Sequence, residues 1–308
     1  MAHSNPFNAR STADHVLAGV DLTGRRFVVT GCNSGIGFET MNSLAANGAQ
    51  VVGLARSWSA ASEACARVGP TCTAVACDLS DLDSVADAAG AIRALNAPLD
   101  AVVANAGVAY LPALKTRYGV EMQFLVNHIG HFALVKQLSE LVRNGSGRIV
   151  LVGGATRVKP SPPEGIMFDN LDGHRFYHPA TFYRQSKLAV ALYAKELARR
   201  LQGRGISVNM VDPGATKGTQ LDRHSPQPLL VRAVARLFKK NTQRAAATQA
   251  LLAASPRVAD VSGEFWADCR ITEGPALLDD VDLAKHLWEV SERIVDTNTL
   301  PDKLRAAA

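Results

Sequence analysis

Short apolar runs recur along the chain, separated by longer stretches whose apolar positions fall at helical spacing. The runs are RRFVVT (25–30), QVVGLA (50–55), TCTAVAC (71–77), LDAVVA (99–104), RIVLV (148–152), ISVNMV (206–211) and GEFWA (263–267). Most lack the apolar–polar alternation of a strand with one wet face, so they predict strands covered on both sides, as in a parallel sheet. Helical patterns at 36–47, 81–95, 119–143 and 183–202 lie between them. This rhythm predicts right-handed crossovers and one doubly wound parallel sheet of about seven strands, with helices on both faces. No repeat of roughly 20–50 residues interrupts it. Residues 1–308 therefore read as a single α/β domain of Rossmann type.

Two segments break the pattern. Residues 157–180 (RVKPSPPEGIMFDNLDGHRFYHPA) are proline-rich and aperiodic, which predicts a long surface loop. Residues 217–242 contain LLVRAVARLFKKN, with apolar positions 230, 234, 237 and 238 on one helical face and basic residues on the other. Most amphipathic helices cover apolar protein surface, so a substrate lid is favoured over a membrane contact.

Composition narrows the class. With 47% hydrophobic and 20% charged residues the chain has an ordinary globular balance. A net charge of +5, without a dense Lys/Arg tract among aromatics, gives no footprint of nucleic-acid binding. The five cysteines are odd in number and form no C-x-x-C pair, as expected for reduced thiols in a cytoplasmic protein. No apolar leader opens the sequence, and no run approaches the roughly 18 apolar residues of an integral membrane segment.

After the first apolar run comes TGCNSGIGFET, with Gly31, Gly35 and Gly37 spaced G-x3-G-x-G ahead of a helical pattern. Glycines at a strand-to-helix turn let a pyrophosphate approach the backbone and the positive helix end. The second run ends in Arg56 and Ser57, with no carboxylate. An NAD site usually places Asp or Glu there, whereas Arg accommodates the 2′-phosphate of NADP, so NADP(H) is favoured over NAD(H). Asp78 and Leu79, after the third run, are placed to frame the adenine. Downstream, YRQSK sets Tyr183 and Lys187 four residues apart, on one face of one helix. A free phenol is a poor acid–base group near neutrality, but a neighbouring cation favours the phenolate. Proton exchange with a carbonyl oxygen then becomes feasible while hydride moves at carbon.

Together these motifs resemble the short-chain dehydrogenase/reductase family over roughly residues 20–295. TGCNSGIG is similar to its nucleotide turn and ANAG (104–107) to its strand-four motif. NHIGHFAL (127–134) resembles its asparagine helix, YRQSK its Tyr–Lys pair, and VDPGAT (211–216) its Pro-Gly turn over nicotinamide. NHIGHF, LDRHS and HLWEVS are most similar to the retinol-dehydrogenase-like branch. The resemblance implies a cofactor site built from Gly31, Asn33, Ser34, Gly35, Ile36 and Gly37. It adds Asn105, Ala106 and Gly107, then Pro213, Gly214 and Thr216, with Tyr183 and Lys187 contributing to both cofactor and chemistry. Tyr183 would exchange the proton, Lys187 would bind the nicotinamide ribose, and Asn127 would hold a water in the relay. His128 and His131 lack a third metal ligand and read as helix packing. Asp169, Asp172, His174 and His178 read as polar loop chemistry.

Three departures stand out. Ala104 replaces an asparagine, no membrane anchor accompanies the retinol-dehydrogenase-like motifs, and Gly154 stands where the family carries its catalytic serine. Thr156, two residues on, is the candidate substitute donor. The reading is an NADP-dependent oxidoreductase acting on a ketone or aldehyde or the corresponding alcohol, with a homodimer or tetramer as its candidate assembly. The alternative is a nucleotide-binding regulatory or interaction protein whose catalysis is attenuated by Gly154.

Overall fold

The computed structural model describes residues 5–154, 162–217 and 240–299. All seven apolar runs are strands: β1 (Arg26–Thr30), β2 (Gln50–Ala55), β3 (Cys72–Ala76) and β4 (Ala101–Ala104) come first. A two-residue pair, β5 (Thr116–Arg117) and β6 (Val120–Glu121), forms a separate antiparallel hairpin. The main sheet continues with β7 (Arg148–Val152), β8 (Ser207–Asp212) and β9 (Phe265–Ala267). An eighth strand absent from the sequence reading, β10 (Arg270–Ile271), pairs antiparallel with β9. The turn between them puts Asp268 and Cys269 at φ 55° and 60°, the two positive angles that a tight hairpin needs.

The strand order is β10-β9-β8-β7-β4-β1-β2-β3. The chain steps from β1 outward to β3, returns to β4 on the other side of β1, and then runs outward through β7, β8 and β9. The reversal leaves a crevice at the carboxyl ends of β1 and β4, where ligands bind in sheets of this type.

Nine α-helices flank the sheet among the described residues. One face carries α1 (Ala13–Leu17), α2 (Gly35–Ala46), α3 (Trp58–Val68) and, late in the chain, α8 (Thr242–Ala254). The other carries α4 (Leu82–Arg93), α5 (Met122–Phe124), α6 (Gly130–Leu138), α7 (Pro179–Leu201) and α9 (Val281–Asn298). Strand residues alternate between the two cores: Phe27 and Val29 point to the first, Val28 to the second. Filling both cores is what makes the runs continuously apolar.

Local chemistry explains several boundaries. Asp81 caps α4 by accepting from Asp83 N, and Asp280 caps α9 by accepting from Leu283 N. Pro179 starts α7 at its first turn, where a missing N–H costs nothing, so the helix begins four residues before the predicted 183. The predicted helix 119–143 is composite: β6, α5, a π-helical turn at Leu125–Ile129, α6 and a 3-10 turn at Ser139–Leu141. The segment predicted as a surface loop is only partly superficial. Ile166, Asn170 and Leu171 are buried, and the Leu171 carbonyl accepts from Glu121 N at 2.7 Å. Of the predicted lid, residues 218–239 lie outside the described ones, as does Thr156. Where the lid's ends are described, Thr216 and Lys240 form a parallel bridge.

Candidate active site

At the end of β1 the chain turns through Gly31 and Gly35, at φ 70° and 60°. A Cβ on Gly37 would fall 2.3 Å from the Gly31 carbonyl oxygen, so α2 can close onto the turn only with glycine there. Ser34 caps α2 without a side-chain hydrogen bond, and the first turn of the helix carries no acidic residue. Its leading N–H groups and positive dipole end are left for an external anion. A cavity of about 690 Å³ adjoins this end, lined by Asn33, Ser34, Gly35, Phe38, Asn241 and Thr242, with the cations Arg67 and Lys217 and the carboxylate Glu39. Arg67, which the sequence did not single out, lies with its guanidinium 4.0 Å over the Phe38 ring. Arg56 is exposed after β2, and Ser57 caps α3 by accepting from Ala60 N. Asp78 accepts from Ser80 N at 2.9 Å, which folds the turn holding Leu79 against Gly130. The donor set, the glycine cradle and the cations fit a dinucleotide phosphate.

One buried hydroxyl joins the two central strands. Thr30 Oγ1 accepts from Asn105 N and Ala106 N, both at 2.9 Å, and meets His131 Nε2 at the same distance. His131 Nδ1 lies 3.0 Å from the Asn127 carbonyl, which can only accept. The histidine proton is therefore on Nδ1, and Thr30 donates to Nε2. Burial holds His131 at about 4, far below a free imidazole, so the ring stays neutral. Asn105 is fixed on both sides, donating to the Thr30 carbonyl at 2.9 Å and accepting from Gln249 Nε2 at 3.1 Å. Gln249 and the linking role of His131 escaped the sequence reading; their partners are 144 and 101 residues away.

The π-helical turn bears Asn127. Its side chain accepts from Val108 N at 2.8 Å and donates to Val108 O and Ser186 Oγ at 2.9 and 2.8 Å. These bonds clamp the loop after β4 to α7. Gly107 sits inside the clamp, where a Cβ would stand 3.0 Å from Asn127 Oδ1 and 3.4 Å from Lys187 Nζ.

Helix α7 brings Tyr183 and Lys187 to the same place. Lys187 Nζ donates to the Val152 carbonyl at the end of β7, at 3.1 Å, and lies 5.9 Å from the centre of the Tyr183 ring. Burial pulls the ammonium down to about 8, partly opposed by the Asp212 carboxylate. Tyr110 packs its ring 4.9 Å from that of Tyr183 while held at φ 55°, an unusual backbone angle for a bulky residue. Across the crevice Asp212 accepts from Gly214 N at 2.8 Å, Thr216 donates to the Gly214 carbonyl at 3.0 Å, and Lys240 donates to the Pro213 carbonyl at 3.2 Å. These bonds set the Pro-Gly turn facing α7.

Gly154 lies between these groups at φ 123°. A Cβ there would be 4.0 Å from the Tyr183 hydroxyl, so the position expected to carry a serine does face the tyrosine. In the loop cluster Asp169 pairs with Arg175, Asp172 accepts from His174 N, and His178 sits at the α7 cap.

A glycine turn at the end of β1 and a buried Tyr–Lys pair against the end of β7, two strands away, are the arrangement of a nicotinamide-dependent oxidoreductase of Rossmann type. The short chain dehydrogenase family profile matches residues 25–164. WW domain-containing oxidoreductase of Pongo abelii is 36% identical over 302 residues, covering 94% of this chain and 72% of that protein. Retinol dehydrogenase 14 of Mus musculus is 35% identical over 293 residues, with 89% and 86% covered. Among solved structures, an uncharacterized protein from Mycobacterium Paratuberculosis superposes with a TM-score of 0.74 at 27% identity, covering 94% of this chain and 99% of its own. The Pseudomonas aeruginosa RhlG/NADP active-site complex gives 0.64 at 26% identity, covering 80% and 95%. The chain belongs to the short-chain dehydrogenase/reductase family, near its retinol-dehydrogenase-like branch. It is an NAD(P)-dependent oxidoreductase with a small-molecule substrate, and no described helix is long and apolar enough to cross a membrane.

Proposed function

We propose that the protein uses NADP(H) to interconvert a ketone or aldehyde and its alcohol, with Tyr183 as the acid–base group. The observation that carries this is the meeting of Tyr183, Lys187 and the Asn127 clamp beside the open point at Gly154. The cofactor, when bound, supplies or accepts the hydride at carbon. Asn105, Ala106 and Gly107, with Pro213, Gly214 and Thr216, would line its site. Tyr183 delivers its phenolic proton to the carbonyl oxygen, or removes one from the alcohol. Lys187 favours the phenolate by its charge and binds the nicotinamide ribose. Asn127 holds the water that returns the proton.

The NADP preference rests on Arg56 at the end of β2, supported by Arg67 and Lys217 in the adjoining cavity. NADPH should bind at least about tenfold tighter than NADH, because a charge-assisted phosphate contact contributes roughly 1.5–3 kcal/mol. Arg56→Ala should narrow that gap, and equal affinities in the parent protein would remove the assignment. Tyr183→Phe should leave NADPH binding intact while turnover falls by about a hundredfold or more. The described cysteines are all free, which supports a reducing compartment such as the cytoplasm. Gly154 favours a second reading, a nucleotide-binding regulator with attenuated turnover. Steady NADPH consumption across a carbonyl panel excludes it.

A further inference from the structure

Two of the three atoms nearest a Cβ built at Gly154 are polar, and one of them does not belong to the expected chemistry. A Cβ built there would lie 4.0 Å from Tyr183 Oη and 3.8 Å from Asp212 Oδ1, the oxygen that also accepts from Gly214 N. The two oxygens are therefore less than 8 Å apart. Asp212 is buried at the end of β8, and its charge partly offsets the cost of burying the Lys187 ammonium. Where a hydroxyl would donate to the substrate oxygen, the site presents a carboxylate, which only accepts. A side chain at Gly154 is strained at φ 123°, so the backbone keeps the gap open.

A carboxylate so placed disfavours negative charge on the substrate and favours a donor. A substrate with two neighbouring heteroatoms spans the gap: the carbonyl oxygen accepts from Tyr183, and a vicinal hydroxyl or ammonium donates to Asp212. Each of those hydrogen bonds is about 2.8 Å long. We propose that Asp212 is a specificity-determining residue that selects α-hydroxy or α-amino carbonyl compounds, or the corresponding vicinal diols and amino alcohols. This rests on the oxidoreductase reading above. In the reductive direction hydride goes from NADPH to the carbonyl carbon and the Tyr183 proton to its oxygen. Asp212 neither gains nor loses a proton; it holds the adjacent donor.

Asp212→Asn is the informative change, because the amide oxygen still accepts from Gly214 N and keeps the Pro-Gly turn while the charge disappears. The parent protein should reduce hydroxyacetone over acetone, and 2-hydroxyacetophenone over acetophenone, with kcat/KM ratios of about ten or more. In Asp212→Asn those ratios should fall to within about threefold of one. Ratios near one in the parent, or ratios that survive the substitution, overturn the proposal. So does a uniform loss over all four ketones with weakened NADPH binding, which confines Asp212 to shaping the turn. A parallel calorimetric titration of the NADP+ complex compares 1-amino-2-propanol with 2-propanol and needs no turnover. If no carbonyl is reduced, the oxidoreductase reading fails by itself. The binding preference, present in the parent and lost in Asp212→Asn, then still upholds or refutes the role of Asp212.

Discussion

Lys187 should be a stability liability that the active site retains for its chemistry. Its ammonium is withdrawn from water at the end of β7, and burial lowers it from an ordinary 10.5 to about 8. Unfolded chains hold that proton up to about pH 10.5, folded ones only to about pH 8, so stability rises with pH across this window. A shift of this size, at 1.36 kcal/mol per unit, corresponds to about 3 kcal/mol at pH 7. Roughly 2 kcal/mol of that should be recovered by about pH 9.5. Lys187→Met removes the titration. It also removes the bond to the Val152 carbonyl, but that loss is the same at both pH values and drops out of the comparison. Urea unfolding of the apo protein at about pH 7 and pH 9.5 should therefore show the parent gaining about 2 kcal/mol more than the variant. Equal gains would refute the buried-cation argument. A larger gain in the variant would reverse its sign.

Other residues carry sharper expectations. Gly154→Ser should lower the melting temperature, because φ 123° strains any side chain by about 1–3 kcal/mol; a serine that raised activity without loss of stability would show that the loop adapts. Thr30→Val strands Asn105 N, Ala106 N and His131 Nε2 in a buried site. It should cost at least about 2 kcal/mol in denaturant unfolding and weaken NADPH binding, whereas a neutral result would mean that water replaces the hydroxyl. Burial lowers His128 to about 3 and His131 to about 4, below the free value of 6.5, so both stay neutral when folded. Stability should fall as pH drops from about 6.5 towards 4, and His128→Asn should flatten part of that slope.

The sheet was legible because its strands are covered on both faces, which turns each into an uninterrupted apolar run. The helix α8 was not, for the same physical reason: Ala245–Ala254 are all buried, so no polar face marks its period. Composite geometry hid as well, since the π-helical turn at Asn127 follows a sequence that reads as plain helix. Motifs located Gly31, Tyr183 and Lys187 because their spacing is local. Thr30, His131 and Gln249 act through partners from other elements, and no local pattern announces such bonds. Asp212 stood inside a quoted motif, VDPGAT, yet the role proposed for it depends on its nearness to Gly154 at the end of the neighbouring strand.

Helix α8 also sets how far this sequence can drift. Ala246, Ala247, Ala250, Ala253 and Ala254 share a core with Val150, Val152 and Val211 of β7 and β8. Arg148 ties the end of the helix to the sheet through the Leu252 and Ser255 carbonyls, at 3.2 and 2.7 Å. Small side chains held this closely leave no room for growth, and added methylenes in such a core cost about 1–3 kcal/mol. Variation along this face of α8 is thus confined to exchanges among small residues. The opposite side of the sheet, packed with Phe124, Phe132 and Phe182, has bulk to trade.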